Sequence, residues 1–270
     1  MRKIWLTDGR LSVSILPDCG GALAALRWHT PDGLTHEMLA PASAGDIAGK
    51  VAASMACLPA AVYAGAMTGC GTLGEWTVQD ASNIRATLTQ HQEGVNPQHP
   101  SHAPHWSCQA LQRFELTPGG LHVRFTITNI GVAPVPARTG LRLRLNRRAN
   151  FQLRGDLEPV MAAADGSPSP PPGSFKTGFQ FLDQDVQITL RHLKNDFFCT
   201  WPEDRLMLKF TLDHGLNYIA VDYRAAQKEV WLTPLSHAPA GETGHPAFQI
   251  LQQGDSLEAV LFLSPGPMAG

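Results

Sequence analysis

Apolar and polar residues alternate in short runs along this chain. Leu11-Ser12-Val13-Ser14-Ile15-Leu16 is one such run. The clearest is Leu121-His122-Val123-Arg124-Phe125-Thr126-Ile127-Thr128-Asn129, where every odd position is apolar until Asn129. Leu141 to Leu145, Val186 to Leu190 and Leu206 to Phe210 follow the same rule. A period of two over such lengths marks strands with one buried face. The breaks between them carry turn residues: Pro118-Gly119-Gly120, Asn129-Ile130-Gly131, Asp213-His214-Gly215 and Gln253-Gly254-Asp255. Clusters of this kind join antiparallel strands. No long segment has a helical period. Residues 40–56 are Ala-rich, but Pro41, Gly45 and Gly49 leave room for a short helical turn at most. The pattern predicts an all-β fold, a large sandwich of antiparallel strands.

Length and composition narrow this picture. With 270 residues the chain suits one large all-β domain, 1–270, and buries most of its apolar surface without staples. The stretch from Asp165 to Gly173 reads as an exposed loop of polyproline character. It is not taken as a boundary, because the strand-like segments beside it are too short for two independent cores. Charged residues make up 16% and the net charge is -2, so no basic field points to nucleic acid. The charge-poor run from Val51 to Ala66 is broken by Pro59 and Gly65 and is too short for a membrane span. Asp8 and Arg10 interrupt any leader-like apolar region. Cys19, Cys57, Cys70, Cys108 and Cys199 are odd in number and widely spaced, which argues against a disulfide framework or a zinc ribbon. Buried, reduced thiols and a cytoplasmic location are expected.

Two clusters have chemical potential. Arg142 and Arg144 lie on one face of a strand whose other face is Leu141, Leu143 and Leu145, and Arg147 and Arg148 follow. A solvated outer face explains such a run, and so does an anion site. His99, His102 and His105 alternate with Pro97, Pro100 and Pro104, and in a polyproline helix of three residues per turn the imidazoles share a face. That suits Zn, Ni or Cu. A His-bearing loop is preferred, with no metal or cofactor. Trp76, Trp106 and Trp201 are either core residues or apolar platforms for a ligand.

A family resemblance joins these pieces. Thr233-Pro234-Leu235-Ser236-His237-Ala238-Pro239 resembles the segment of aldose 1-epimerases (galactose mutarotases) that typically reads Glu-Pro-Met-Ser/Thr-His-Ala-Pro. Gly20-Gly21-Ala22-Leu23 is similar to that family's first hairpin, and Ala56-Cys57-Leu58-Pro59 to its Ser/Ala-Cys-Phe-Pro stretch. Phe125 to Asn129 with Pro134 to Gly140 resembles its Thr-Asn and Gly strand pair. Asn195 to Trp201 resembles its Asp-x-x-Phe-x-x-Trp strand, and Gln253 to Val260 its closing strand. The resemblance implies a galactose-mutarotase-like supersandwich with a sugar cleft across one sheet.

It also assigns roles. Ring opening needs an acid for the ring oxygen and a base for the anomeric hydroxyl. The base position is Thr233, where the family has Glu. The acid position, after Thr139-Gly140, is Arg142, where the family has His. The family's Asn-Arg clamp falls near Gly65 and Ala66. Asp196 matches the carboxylate that accepts from sugar hydroxyls. His102 matches the second His, with His105 as the neighbouring candidate. On the cleft strand, Arg142 and Arg144 would favour an anionic sugar. Trp201 is the candidate platform because it shares a strand with Asp196. His237 is expected to fix its turn through a backbone hydrogen bond, or to act as a surrogate acid or base. The resulting expectation is a carbohydrate-binding protein with a degenerate catalytic set. The alternatives are an epimerase or isomerase acting on an unusual sugar through replacement groups, and a non-enzymatic interaction protein.

Overall fold

A computed structural model describes residues 2–40, 75–94, 106–146, 150–161, 173–180, 185–213, 215–225, 229–237 and 248–268. The strands, in chain order, are β1 (Ile4–Thr7), β2 (Leu11–Leu16), β3 (Ala22–His29), β4 (Thr35–Glu37), β5 (Thr77–Ala81) and β6 (Arg85–Gly94). There follow β7 (Trp106–Thr117), β8 (Gly120–Asn129), β9 (Val135–Ala137), β10 (Leu143–Leu145), β11 (Gln152–Met161) and β12 (Phe179–Gln180). The last are β13 (Val186–Trp201), β14 (Leu206–Asp213), β15 (Tyr218–Arg224), β16 (Glu229–Leu235), β17 (Gln249–Leu251) and β18 (Ser256–Pro267). One helical turn, Ser174–Thr177, precedes β12. The residues 41–56 expected to reach a helical turn at most, and all but the last residue of the Pro-rich stretch, lie outside the described residues.

Each run of period two falls in a strand, except that the run from Leu141 to Leu145 forms one only from Leu143 onward. Along β8 the odd positions Leu121, Val123, Phe125 and Ile127 are at most 3% exposed. Where the alternation ends, Asn129 occupies the next inward position and is fully buried. Its amide nitrogen donates to the carbonyls of Ala133 (2.8 Å) and Leu251 (3.0 Å), and its carbonyl oxygen accepts from the Gly131 amide at 3.0 Å. A buried carboxamide with both its donors and its oxygen engaged holds three segments together where an unpaired one would be costly.

Among the described residues the strands form a four-stranded sheet, β1-β2-β3-β4, a twelve-stranded sheet and the pair β17-β9. The large sheet runs β10-β16-β15-β13-β14-β18-β8-β7-β6-β5, with β11 along the other edge of β13 and β12 on β11. Every strand pair in it is antiparallel. The sheet is continuous because β13 is long: Val186–Arg191 pairs with β15, and Asp196–Trp201 pairs with β14. A bulge between these halves, opposite Gly155/Leu157 of β11, bends the strand. The alternation marked only Val186 to Leu190, and Asn195 to Trp201 was expected as a strand from the family resemblance. Residues of both sheets form one apolar core, including Leu6, Val13, Leu23, Phe114, Phe125, Leu190, Phe197 and Phe210.

The small sheet and the large one are stitched where Leu39 bridges Leu145, with Ala40 donating its amide to the Arg144 carbonyl at 2.9 Å. On the other side, β10 is continued toward its N-terminus by a bridge between Gly140 and Leu235. Gly140 leaves no room for a side chain: a Cβ there would lie 2.5 Å from Leu235 Cδ2 and 2.7 Å from the Pro234 carbonyl oxygen. Gly140→Ala is therefore expected to destabilise the chain by about 1–3 kcal/mol, the usual cost of forcing extra volume into a packed site. Denaturant unfolding of the two proteins measures it, and an unchanged midpoint would refute the close packing of this seam.

Candidate functional site

The positions singled out at the two ends of the resemblance meet on the edge of the large sheet. In β16, Leu232 pairs with Leu143 of β10, and Leu235 bridges Gly140 in the same register. Arg142 is therefore directly opposite Thr233. On the other flank, Thr233 pairs with Ala220 and Trp231 with Asp222 of β15. Val230, Leu232, Leu143 and Leu145 point into the core, at most 1% exposed. Successive side chains alternate across a strand. Arg142, Arg144, Trp231, Thr233, Ala220 and Asp222 thus share the face turned away from the core.

Trp231 is the centre of this group, with only 8% of its surface exposed. The Arg142 guanidinium lies over its ring at 4.2 Å from the centroid, and that of Arg144 at 5.6 Å. Guanidinium–indole contacts of this kind contribute roughly 0.5–2 kcal/mol each, more as water is excluded. Asp222 sits between two cations. Its Oδ1 is 2.8 Å from Arg224 Nε, and its Oδ2 is 4.0 Å from Arg142 Nη2.

Asp196 lies on the same non-core face of the sheet, further along β13. The burial of Ile188 and Leu190 before the bulge, and of Phe197, Cys199 and Trp201 after it, fixes that parity. Its carboxylate is already engaged: Lys209 Nζ is 2.7 Å from Oδ2, and the Thr211 hydroxyl donates to Oδ1 at 2.6 Å. Partial burial raises the pKa of this carboxyl, but the hydrogen bonds from Lys209 and Thr211 and the lysine charge outweigh it, leaving a net shift downward.

Trp201 is not where a sugar platform must be. It points to the opposite face from Asp196, is 1% exposed, packs on Phe151 at 5.8 Å and donates its indole N–H to the Asn146 carbonyl at 2.8 Å. Five residues separate it from Asp196, an odd number, so strand alternation sends the two side chains to different faces. Trp76 and Trp106 are buried as well. Trp231, which shares a face with Thr233 two residues on, was overlooked. The period of β16 was the signal that marks it. Lys209 and Asp222 were also missed, because nothing local in the sequence ties them to the site.

The Ser-His part of the Thr233–Pro239 segment has a structural task. Ser236 donates its amide to the Thr139 carbonyl at 2.8 Å, and its hydroxyl accepts from the Thr139 amide at 2.9 Å. Asn217 reaches the Ser236 carbonyl at 3.3 Å. The turn is thus secured by Ser236. His237, expected to make that backbone bond, instead contacts the Ser236 hydroxyl through Nδ1 at 2.8 Å. Burial, and then the neighbouring Arg138 charge, push the pKa of the His237 imidazole below its ordinary value. His102 and His105, together with His99 and the Gly65-Ala66 positions, lie outside the described residues. Among the described residues no cluster of three or more His, Cys, Asp or Glu side chains fit to hold a metal ion is found, and no helix is long and apolar enough to cross a membrane.

With this geometry in place, the comparisons with solved structures specify the fold. The chain superposes on a candidate aldose 1-epimerase from Escherichia coli K12 with a TM-score of 0.78 at 17% identity, covering 99% of each chain. A galactose mutarotase-like protein from Clostridium acetobutylicum gives 0.75 at 12% identity over 98% of this chain and 95% of that one. The aldose epimerase homologue from C. elegans gives 0.75 at 13% identity over 99% of both. The antiparallel sandwich described above is thus the galactose-mutarotase-like fold. No family model matches the chain. No curated protein matches it either.

Two measurements probe the site. Trp201→Ala is expected to cost about 3–5 kcal/mol in unfolding free energy, the range for removing a large buried aromatic. Near-native stability would contradict its place in the core. For His237 the folded-state pKa lies below the unfolded one, so the unfolded chain binds the proton first as pH falls. The imidazole's contribution to stability is then complete above the unfolded value of about 6.5 and is lost as pH drops through the folded value. NMR titration should place the His237 midpoint below that of an exposed histidine, and His237→Gln should flatten the stability profile on the acid side of neutrality. A midpoint at or above the ordinary value would refute the burial argument.

Proposed function

We propose that this chain binds a sugar or sugar derivative on the face formed by β10, β16 and β15, and that it lacks the standard acid–base set for interconverting anomers. The observation that carries the reading is the register that sets Arg142 opposite Thr233. These are the two positions that the family resemblance gives to acid and base. A threonine hydroxyl does not accept protons at neutral pH without an activating partner. A guanidinium stays charged and cannot pass a proton to a ring oxygen. Both groups still offer hydrogen bonds to hydroxyls, and Asp222 adds an acceptor beside them. The fold hosts binding and catalysis alike, so the argument for function rests on these side chains.

Positioned acid–base groups contribute roughly 10²–10⁴-fold each, and mutarotation proceeds unaided in water. Anomer exchange of glucose and galactose, followed by NMR, should therefore run at the solvent rate in the presence of the protein. The same sugars, or a derivative, should raise the melting temperature as ligands of the folded state. Acceleration well above the solvent rate would overturn the degenerate reading and point to replacement groups such as His102, His105 or His237 acting with Asp196. If both neutral and anionic sugars leave the melting temperature unmoved, the binding reading fails.

A further inference from the structure

We propose that Ser12 and His29 form a nucleophile–base pair that cleaves small carboxylic esters on the outer face of the small sheet. The pair belongs to a different sheet from β10, β16 and β15 and does not depend on the sugar-binding reading. Three observations support it.

The first is geometry. Leu6, Val13 and Leu26 are fully buried on the core side of β1, β2 and β3. Side chains alternate across each strand, so Thr7, Ser12, Arg27 and His29 face outward. In register, Thr7 pairs with Ser12, Ser12 with Arg27, and His29 with Thr35. Ser12 Oγ is 2.8 Å from His29 Nε2, and His29 Nδ1 is 2.9 Å from Thr35 Oγ1. In the tautomer protonated at Nδ1, the ring donates to Thr35 and accepts from Ser12. A hydroxyl within hydrogen-bond reach of a base, with the base held by a third group, is the arrangement that activates a serine.

The second is charge. Arg27 is the cross-strand neighbour of Ser12. Its guanidinium is positioned by an ion pair with Glu37 and by the Trp5 ring, whose centroid lies 5.2 Å from Cζ. A cation held beside the nucleophile favours the oxyanion that forms when an ester carbonyl is attacked.

The third is access. Ser12 and His29 are half-buried, not sealed off from solvent. Trp5 precedes Thr7 by two residues on the same face and is 43% exposed. Its apolar surface suits the acyl chain or the leaving group of an ester.

In the reaction, Ser12 Oγ attacks the ester carbonyl carbon as its proton passes to His29 Nε2. The bond to the alkoxy oxygen then breaks, and the alcohol leaves with that proton. Water gives a proton to His29 and hydrolyses the acyl-serine. His29 returns the proton to Ser12 Oγ as the carboxylic acid leaves.

The test uses the full chain with p-nitrophenyl acetate and with a fluorophosphonate probe. Release of p-nitrophenolate is expected at about 10²-fold or more above buffer. Mass spectrometry of the probe-treated chain should place the phosphonyl group on Ser12, with fluoride as the leaving group. Ser12→Ala should remove both signals, and His29→Gln should lower both about 10²-fold. Thr35 acts through His29 as a positioning residue. Thr35→Val should lower kcat about tenfold at unchanged KM, and Thr35→Ser should restore it. No label on Ser12 in the unsubstituted chain overturns the proposal, and that result needs no variant to fold. Ester cleavage that survives Ser12→Ala overturns it as well.

Discussion

The site depends on the register of β16 between β10 and β15. Because side chains alternate with a period of two, a slip by one residue would send Trp231 and Thr233 into the core and expose Val230 and Leu232. The apolar residues Val230, Leu232, Leu143 and Leu145 oppose that slip by their burial. At the end of the strand, a local seam does the same. Gly140 lies against the Pro234 carbonyl with no space for a Cβ, and Ser236 forms two hydrogen bonds with the Thr139 backbone. These contacts have nothing to do with proton transfer. They fix where the neighbouring side chains point.

That separation lets the Pro-Leu-Ser-His segment serve the packing whatever residue stands before it. Ser236 and Gly140 close the sheet edge, and removing either would disturb packing shared by the whole edge. Thr233 and Arg142 face away from the core, where a substitution changes chemistry at little cost to the fold. The site that results is rich in hydrogen-bond donors and poor in groups that titrate near neutrality. Asp196 is held as an ion by Lys209 and Thr211, and Asp222 is held by Arg224. Burial and the Arg138 charge lower the His237 pKa, and its Nδ1 is occupied by the Ser236 hydroxyl.

Much of the fold was legible from alternation alone. Leu11–Leu16 is a strand with the bounds the pattern predicts, and the turn residues Pro118 and Gly119 join β7 to β8. The length of β13 was not legible, since the bulge between His192 and Phe197 interrupts the period and the alternation marked only Val186 to Leu190. The site was legible in part. Arg142 and Thr233 were named from separate stretches of sequence, and the strand pairing brings them together. Trp201 was misplaced, although counting five residues from Asp196 along an extended strand would have sent it to the other face. Trp231 was within reach of the same count from Thr233 and was passed over.

The sequence by itself determined the local choices: which segments extend, where they turn and which face of each strand is apolar. These follow from side-chain size, polarity and backbone preference, which act within a few residues. Tertiary structure decided which strands lie side by side. Arg142 and Thr233 are 91 positions apart, and neither carries any mark of the other. Only the burial of Leu143 against Leu232, together with the glycine seam at Leu235, sets them opposite each other and brings both arginines over Trp231. Contacts of that range are selected by how the whole core packs, and no local pattern records them.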